Sequence, residues 1–144
     1  MDIWTRLLST TDRLKRRLLF VGWLTAKPET LRVRPIVVGG HALEVYTLGD
    51  YATGDIDLVA VDRLAVGRTL AAAGFLREGR HWYRPDVDIV VKVPDDTLAG
   101  SPERLTCIAV DEFRIYVIGK EDLIIDRLNA CVHWHSSQDC AWAK

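Results

Sequence analysis

The feature that most constrains this chain is a regular alternation of apolar and polar residues at positions 87–93. Every odd position in this stretch is apolar, whereas Asp88 and Lys92 lie at even positions. Side chains that alternate with a period of two point to opposite faces of a β-strand, so the pattern predicts a half-buried strand. The chain is therefore expected to build a sheet that has one core face and one face carrying acidic groups.

Weaker patterns of apolar spacing predict the other strands and the helices. Further strands are expected at residues 34–38, 53–60, 81–84, 105–110 and 113–118. Helices are expected at residues 2–21, 42–48 and 64–73, and from residue 120 onward. The resulting order, αβαβαββββα, predicts an α/β (α+β) fold in which helices flank a mixed β-sheet.

Length and composition restrict the class of protein. The chain has 144 residues, which fits one domain over 1–144. Hydrophobic residues make up 49% and charged residues 27%, values that exclude an intrinsically disordered chain. No apolar stretch approaches the roughly 18 residues of a membrane span, and three cysteines without a CxxC pair suit a reducing compartment. We therefore expect a cytoplasmic protein with no membrane partner.

Charge is distributed unevenly along the chain. Residues 1–34 hold eight Lys and Arg against three Asp and Glu, although the whole chain has a formal net charge of −1. Such a distribution allows a basic rim beside an acidic pocket. The arginines of the first predicted helix are expected to form a solvated face or a partner surface, with RNA binding as the alternative; they are Arg6, Arg13, Arg16 and Arg17.

The acidic residues of the predicted strands suggest a metal site. Asp55 and Asp57 are two residues apart on one strand, so both carboxylates point to the same side. Like charges this close favour a neutralising cation, and oxygen ligands without His or Cys favour Mg²⁺ or Mn²⁺. Asp88, on a neighbouring predicted strand, would complete a site for two-metal phosphoryl transfer. Asp86 is the alternative third carboxylate, but it follows Pro85 at a strand edge.

A glycine pair supplies a second part of the site. Gly39 and Gly40 lie between a predicted strand and a predicted helix. Glycines at such a turn let phosphate oxygens approach the backbone N–H groups at the positive end of the helix. The turn is therefore expected to bind phosphate, while the strand that carries Asp55 binds metal.

Together these segments resemble a known family. The sequence G-G-H-A, a short helix, Y-A-T-G-D-I-D-L-V and then V-D-I-V resembles the nucleotidyltransferase superfamily of the polymerase-beta type. Within it, the chain is most similar to small bacterial nucleotidyltransferases that include toxins of toxin–antitoxin pairs. The resemblance covers roughly residues 35–92, with weaker support from residues 120–139.

The resemblance implies a role for each matching residue. Asp55, Asp57 and Asp88 would be catalytic and hold the metal ions, and Asp88 would also activate the acceptor hydroxyl. The implied nucleotide-binding residues are Gly39, Gly40, His41, Thr53 and Lys120. His41 would replace a serine hydroxyl that many relatives use at the triphosphate. Lys120 is equally well explained as a solvated lysine at a helix start.

The implied activity is transfer of a nucleoside monophosphate from a nucleoside triphosphate (NTP) to a hydroxyl of an RNA (tRNA) or protein acceptor. A cognate antitoxin is the further partner that the resemblance implies. Tyr51 stands where many relatives have Arg, and His41 follows Gly40 where relatives often have Ser. These differences favour an alternative, a catalytically degenerate module that binds a nucleotide or a partner in an antitoxin-like or regulatory role.

The end of the chain carries a helix signal with little chain after it. Ser136 and Asp139 have the spacing of a capping box, which predicts a helix that starts near Ser137. A helix shorter than about 12 residues is marginal in water. We therefore expect a truncated C-terminal helical region at 120–144, and either self-association to a homo-oligomer through Trp134 or Trp142 or a need for further chain.

Overall fold

The computed structural model describes residues 2–49, 53–95, 98 and 100–134. The helices are α1 (Ile3–Ser9), α2 (Arg13–Ala26), α3 (Pro28–Leu31), α4 (Gly39–Tyr46), α5 (Arg63–Ala72) and α6 (Lys120–Trp134). The strands are β1 (Ile36–Val38), β2 (Ile56–Val59), β3 (Leu76–Glu78), β4 (His81–Arg84), β5 (Ile89–Asp95), β6 (Thr106–Val110) and β7 (Phe113–Val117). Two short 3₁₀ turns lie at Pro85–Val87 and Pro102–Arg104.

The described strands form one mixed sheet in the order β3-β4-β5-β2-β1-β7-β6. At its centre, β1 runs antiparallel to β2 and parallel to β7, and β2 runs parallel to β5. The remaining neighbours pair as antiparallel hairpins, β3 with β4, β4 with β5, and β6 with β7. The predicted α/β class with a mixed sheet is therefore confirmed.

Strand register separates the two faces of this sheet. Two rows of register partners cross β4, β5 and β2: one is Trp82, Val91 and Ile56, and the next is His81, Lys92 and Asp57. Adjacent rows point to opposite faces. The first row lies on the core face, where Ile56 and Val91 are fully buried. The second row gives the other face its charged side chains.

Close backbone contacts attach two helices to the core face. A Cβ at Gly22 of α2 would lie 2.5 Å from Cβ of Phe113, and one at Gly67 of α5 would lie 3.0 Å from the ring of Trp82. Because glycine has no Cβ, both helices can approach the sheet at these points. Phe20 of α2 lies in the core and is fully buried.

The first helix differs from its prediction, because residues 2–21 do not form one helix. Asp2 accepts a hydrogen bond from the backbone N–H of Thr5 at 2.8 Å and caps α1. Asp12 accepts from the N–H of Leu14 at 2.9 Å and starts α2. Asp is a preferred N-cap residue, and a second cap inside the apolar repeat begins a new helix. The periodicity alone does not show this break.

The position of Asp88 differs from its prediction in a way that affects the candidate site. It was expected on the face of a strand that begins at residue 87, but β5 begins at Ile89. Pro85–Val87 forms a 3₁₀ turn, and Asp88 follows it in the left-handed conformation, with φ 55°. Proline fixes a φ value that suits the start of a helical turn. The local pattern of alternation therefore extends two residues beyond the strand itself.

The remaining predictions concern membrane spans, the C-terminal helix, self-association and the number of domains. No helix in the described ranges is both long and apolar enough to span a lipid bilayer. The helix expected after Ser136 and the contact expected at Trp142 lie outside the described residues. Self-association therefore stays a prediction, as does the assignment of 1–144 to one domain.

Candidate active site

The two carboxylates of the D-I-D sequence lie at the centre of the sheet. Asp57 is in β2 and pairs in register with Val38 of β1 and with Lys92 of β5. Ile56 and Leu58, on either side of it, are fully buried on the core face. Asp57 therefore points to the opposite face, as the alternation predicts. Asp55 directly precedes the strand rather than lying within it.

Asp57 is in an unfavourable electrostatic position. Its side chain is 18% exposed, and its Oδ1 atom is buried without a hydrogen-bond partner among the described residues. Its pKa is raised above the ordinary value, mainly because burial penalises the charged form. The charge of Lys92 acts to lower this pKa, and the charge of Asp55 acts to raise it. A cation at Oδ1 would remove this penalty.

Gly39 brings the start of α4 against the same carboxylate. It has φ +61°, and a Cβ added to it would lie 2.6 Å from Oδ2 of Asp57. Only glycine fits this position without strain, because the left-handed conformation and the contact both exclude a side chain. The structure makes Gly39 and Gly40 the first two residues of α4 rather than a turn before it. The free N–H groups of the first helical turn thus lie beside Asp57.

Both carboxylates have basic neighbours from adjacent strands. Nζ of Lys92 is 3.8 Å from Oδ1 of Asp57, which is an ion pair but too long for a hydrogen bond. Nε2 of His81 is 3.1 Å from Oδ2 of Asp55. These contacts depend on the pairing of β5 with β2 and β4. The alternation at residues 87–93 places Lys92 on the acidic face, but no sequence pattern indicates a role for Lys92 or His81.

The donor set fits a divalent cation in part. Carboxylate oxygens suit Mg²⁺ and Mn²⁺, and Mg²⁺ is often held by one or two carboxylates while substrate phosphates supply other ligands. Asp55 and Asp57 meet this requirement, and the buried Oδ1 of Asp57 is the acceptor in need of a partner. The described residues contain no group of three or more Asp, Glu, His or Cys placed to hold a metal ion. Asp88 is thus not part of a preformed ligand set.

Asp88 nevertheless lies in the same electrostatic environment as Asp55. Burial lowers the pKa of Arg17 from α2, and the charges of both carboxylates act to raise it. Asp88 is exposed to solvent, directly before β5. It can therefore meet a molecule that arrives from outside. Asp86 instead accepts a hydrogen bond from Nε of Arg84 at 3.0 Å.

A cluster of buried polar residues holds helix α4, which begins at Gly39 beside Asp57. In α4, Oε2 of Glu44 lies 3.1 Å from Nη1 of Arg13, and Oε1 of Glu44 lies 3.6 Å from Nη1 of Arg17. The same Oε1 atom is 2.8 Å from Nδ1 of His41. Burial would raise the pKa of Glu44, but the hydrogen bond with His41 and the charges of the two arginines outweigh it and hold the pKa below its ordinary value. Glu44 is therefore a buried anion that joins α4 to α2.

His41 is fully enclosed by this cluster. Its ring is 0% exposed, and burial lowers its pKa, so the imidazole is neutral at pH 7. Nδ1 then donates to Glu44, and Nε2 has no hydrogen-bond partner among the described residues. This location favours a role in positioning α4. Direct contact between the His41 ring and a nucleotide remains a prediction.

Two arginines of α2 hold the segment that leads to Asp55. Nη1 of Arg17 donates to the carbonyl oxygen of Thr53 at 2.6 Å, and Nη2 of Arg13 donates to the same oxygen at 2.7 Å. Arg17 is only 2% exposed. The expectation that it belongs to a solvated face or a partner surface is therefore wrong. Helical periodicity placed it outside because that pattern cannot show a buried anion such as Glu44.

The remaining arginines of the first two helices also have local partners. Arg6 contacts Asp111 at 2.5 Å and Glu112 at 2.7 Å. Arg16 donates to the carbonyl oxygen of Thr10 at 2.9 Å. Arg6 is thus paired with acidic residues that follow β6, whereas Arg16 is engaged by the backbone before α2.

Residues of α6 complete the surroundings of Asp57. Lys120, the first residue of α6, is exposed, with Nζ 5.4 Å from the centre of the Tyr46 ring at the other end of α4 from Gly39. The charge of Arg127 acts to lower the pKa of Asp57, and the charge of Asp126 acts to raise it. No sequence pattern assigns Asp126 or Arg127 to this site, since their relation to β2 depends on tertiary packing. The only sequence signal is their position on the same predicted helix as Lys120.

Comparison of the chain with protein-family models, curated proteins and solved structures finds no match. The resemblance of the G-G-H-A and G-D-I-D segments to the nucleotidyltransferase superfamily therefore stays a prediction. The geometry around Asp57 and the chemistry of the residues that surround it are the basis for a functional proposal.

Proposed function

We propose that this protein is a metal-dependent nucleotidyltransferase with a nucleotidyltransferase-type fold, which moves a nucleoside monophosphate from an NTP to a hydroxyl of an RNA or protein acceptor. The observation that carries the proposal is the carboxylate of Asp57. It is partly buried, has a raised pKa and has a buried oxygen without a hydrogen-bond partner among the described residues. Beside it lie a second carboxylate and the N-terminus of a helix.

Each part of this arrangement suits one part of an NTP. Asp55 and Asp57 would hold Mg²⁺ or Mn²⁺, which when bound neutralises phosphate charge and polarises the phosphoryl group. The backbone N–H groups at Gly39 and Gly40 would donate to phosphate oxygens. The close contact between Gly39 and Asp57 keeps the phosphate donors and the metal ligands side by side.

The reaction is an in-line displacement at the α-phosphorus. The acceptor oxygen forms a bond to this phosphorus, and the bond from the phosphorus to the bridging oxygen of the β-phosphate breaks. Pyrophosphate leaves with the electron pair of that bond. Asp88, exposed directly before β5, is the proposed base that takes the proton of the acceptor hydroxyl.

Calorimetric titration with NTP, with and without Mg²⁺, tests this proposal. We expect wild-type protein to bind NTP only when Mg²⁺ is present and Asp57→Asn to lose this binding. Glu103→Gln is the matched control, because it also removes one negative charge, from an exposed residue outside the site. Binding that is equally strong without Mg²⁺, or unchanged in Asp57→Asn, would contradict the proposal.

One set of contacts favours a second candidate, a module that binds a nucleotide or a partner without chemistry. Lys92 and His81 already pair with the two carboxylates, and Asp88 stands apart from them. In such a module Lys92 takes the place of the metal as the counter-ion of Asp57. Lys92→Met separates the candidates. An enzyme should gain affinity for Mg²⁺ when this competing cation is removed, whereas the module should lose stability without any gain in Mg²⁺ affinity.

A further inference from the structure

Four arginines surround a cavity on the core-face side of the sheet, away from Asp57. The cavity has a volume of about 790 Å³ and lies where α5 meets the β3–β4 hairpin. Its basic residues are Arg63, Arg68, Arg77 and Arg80, and Trp82 of β4 also lines it. All four arginines are exposed to solvent.

The positive charge of this cavity is not neutralised by the surrounding side chains that the structure describes. None of the four arginines forms an ion pair with a carboxylate that the structure describes. Arg77 donates a hydrogen bond to the carbonyl oxygen of Gly79 at 3.1 Å, and Arg63 donates one to the carbonyl oxygen of Pro94 at 3.4 Å. Both acceptors are uncharged. Asp62, the one acidic residue among the described lining residues, is engaged as the N-cap of α5. This cavity therefore differs from the surroundings of Arg6, Arg13 and Arg17, whose guanidinium groups lie beside carboxylates.

The cavity is separate from the candidate active site. Trp82 belongs to the row of register partners on the core face, whereas His81 and Lys92 belong to the row that contains Asp57. Strand β3, which also carries Arg77, is the edge of the sheet and has only three residues. A long ligand can therefore pass around this short edge, but a single small molecule does not contact both places.

The mixture of arginines and an aromatic ring indicates the kind of ligand. The guanidinium of Arg77 lies 5.5 Å from the centre of the Trp82 ring. Positive grooves that contain aromatic and arginine side chains are typical of surfaces that bind single-stranded nucleic acid, because guanidinium groups pair with phosphates and planar groups stack on bases. Four guanidinium groups spread over α5, β3 and the hairpin turn also exceed what one phosphate group needs.

We propose that this arginine cavity binds single-stranded nucleic acid through its phosphate backbone. The proposal does not depend on nucleotidyl transfer, since binding requires neither the metal ligands nor an NTP. It names a surface that the charge pattern of the sequence does not indicate. The N-terminal excess of Lys and Arg points to residues 1–34, whereas the four arginines that line this cavity lie at 63–80.

Fluorescence anisotropy with a labelled single-stranded RNA, without NTP and without divalent metal, tests this inference. We expect wild-type protein to bind, with an affinity that falls as salt rises. Arg68→Glu and Arg80→Glu should each weaken binding by about tenfold or more, and loss of one phosphate contact should reduce the salt slope by about 0.7. Arg114→Glu is the matched control, because it makes the same charge change at an exposed position of β7 and should keep most of the affinity. Circular dichroism checks that every variant is folded.

Several outcomes would overturn the inference. One is equal weakening by Arg114→Glu, which would show a general effect of net charge. A second is displacement of the RNA by polyglutamate as effective as displacement by unlabelled RNA, which would indicate an acidic protein partner instead. A third is displacement by millimolar inorganic phosphate, which would indicate a small-anion site. Asp57→Asn should bind RNA as wild type does, so failure of this inference and failure of the proposed transfer reaction are distinguishable.

Discussion

The guanidinium of Arg17 and the carbonyl oxygen of Thr53 form a 2.6 Å hydrogen bond between helix α2 and the segment that leads to Asp55. The same guanidinium lies 3.6 Å from Glu44 of α4. One buried side chain thus connects the two segments that carry the candidate site, the D-I-D strand and the helix that begins at Gly39. Arg17 is a positioning residue in this arrangement.

Replacement of Arg17 should therefore be costly. Arg17→Met leaves the buried charge of Glu44 with one partner fewer and removes a donor from Thr53. We expect the free energy of unfolding to fall by about 3 kcal/mol, the usual effect of breaking a buried ion pair. Urea unfolding measures this change. Arg32→Met, at an exposed arginine, is the control and should change stability by less than about 0.5 kcal/mol. An equal effect of both substitutions would contradict the role assigned to Arg17.

The chain offers a matched pair of glycines for testing the contact with Asp57. Gly39 and Gly79 have nearly the same φ, +61° and +59°, but a Cβ at Gly79 meets nothing within 4 Å. Gly79→Ala should therefore cost only the left-handed conformation, about 1 kcal/mol. Gly39→Ala should cost about 1–3 kcal/mol more, because its Cβ overlaps the Asp57 carboxylate. Unfolding curves of the two variants give the difference directly. Equal costs would show that the contact has no energetic weight.

Asp57 should make the stability of the protein depend on pH in a defined direction. Its pKa is raised in the folded state, mainly by burial. As pH rises above the unfolded value of about 3.9, the unfolded state loses a proton that the folded state still holds. The free energy of unfolding therefore falls with rising pH until the folded carboxyl has also ionised. Asp57→Asn should be more stable than wild type at pH 7, and the difference should shrink toward pH 4. A difference that is constant with pH would contradict this assignment.

His41 and Glu44 should have the opposite effect on the acid side. Burial lowers the pKa of His41, so below about 6.5 the unfolded state takes up a proton that the folded state does not. The pKa of Glu44 is also lowered, and its contribution to stability is lost as pH falls below about 4.3. We expect the contribution of these two residues to stability to fall between pH 7 and pH 4, so that acidification above pH 5 costs His41→Gln less than it costs wild type. An NMR titration of the His41 imidazole that gives a pKa at or above 6.5 would count against this account.

The parts of this structure that follow from local pattern are the ones that sequence analysis found. The alternation around Asp57 predicts its strand and its polar face, because side-chain direction in a strand depends only on sequence spacing. The burial of Arg17 does not follow from such spacing, since helical periodicity assigns charged residues to the solvent side. Its burial depends on Glu44, which is distant in sequence and reaches α2 only through the fold.

The candidate site likewise combines features that local sequence patterns predict with contacts that depend on the fold. Gly39 and Asp57 could be assigned to one site from their order and spacing, but their direct contact needed the β1–β2 pairing. The pairing of Lys92 with Asp57 depends on the parallel register of β5 and β2, which no local pattern gives. For Asp88, the local signal of Pro85 competed with the alternation, and the 3₁₀ turn replaced the predicted start of the strand.

Binding of Mg²⁺ should be visible as stabilisation. At about 100 times its dissociation constant, a ligand that binds only the folded state adds about 2.7 kcal/mol to the free energy of unfolding. We expect Mg²⁺ in the presence of NTP to raise the melting temperature of wild-type protein, and the effect to disappear in Asp57→Asn. Differential scanning calorimetry with Mg²⁺, with Ca²⁺ and with EDTA measures it. A shift that survives in Asp57→Asn would place the cation elsewhere.

Transfer of label from an NTP carrying ³²P at the α-phosphate is the most direct test of the proposed activity. The protein is incubated with Mg²⁺ and with RNA or protein acceptors, and the acceptor is then separated from free nucleotide. We predict label on the acceptor with wild-type protein, no label with EDTA, and none with Asp57→Asn, while Glu103→Gln retains transfer. Undiminished transfer by Asp57→Asn, or no transfer to any acceptor by wild-type protein that binds NTP with Mg²⁺, would contradict the proposal that this site catalyses nucleotidyl transfer.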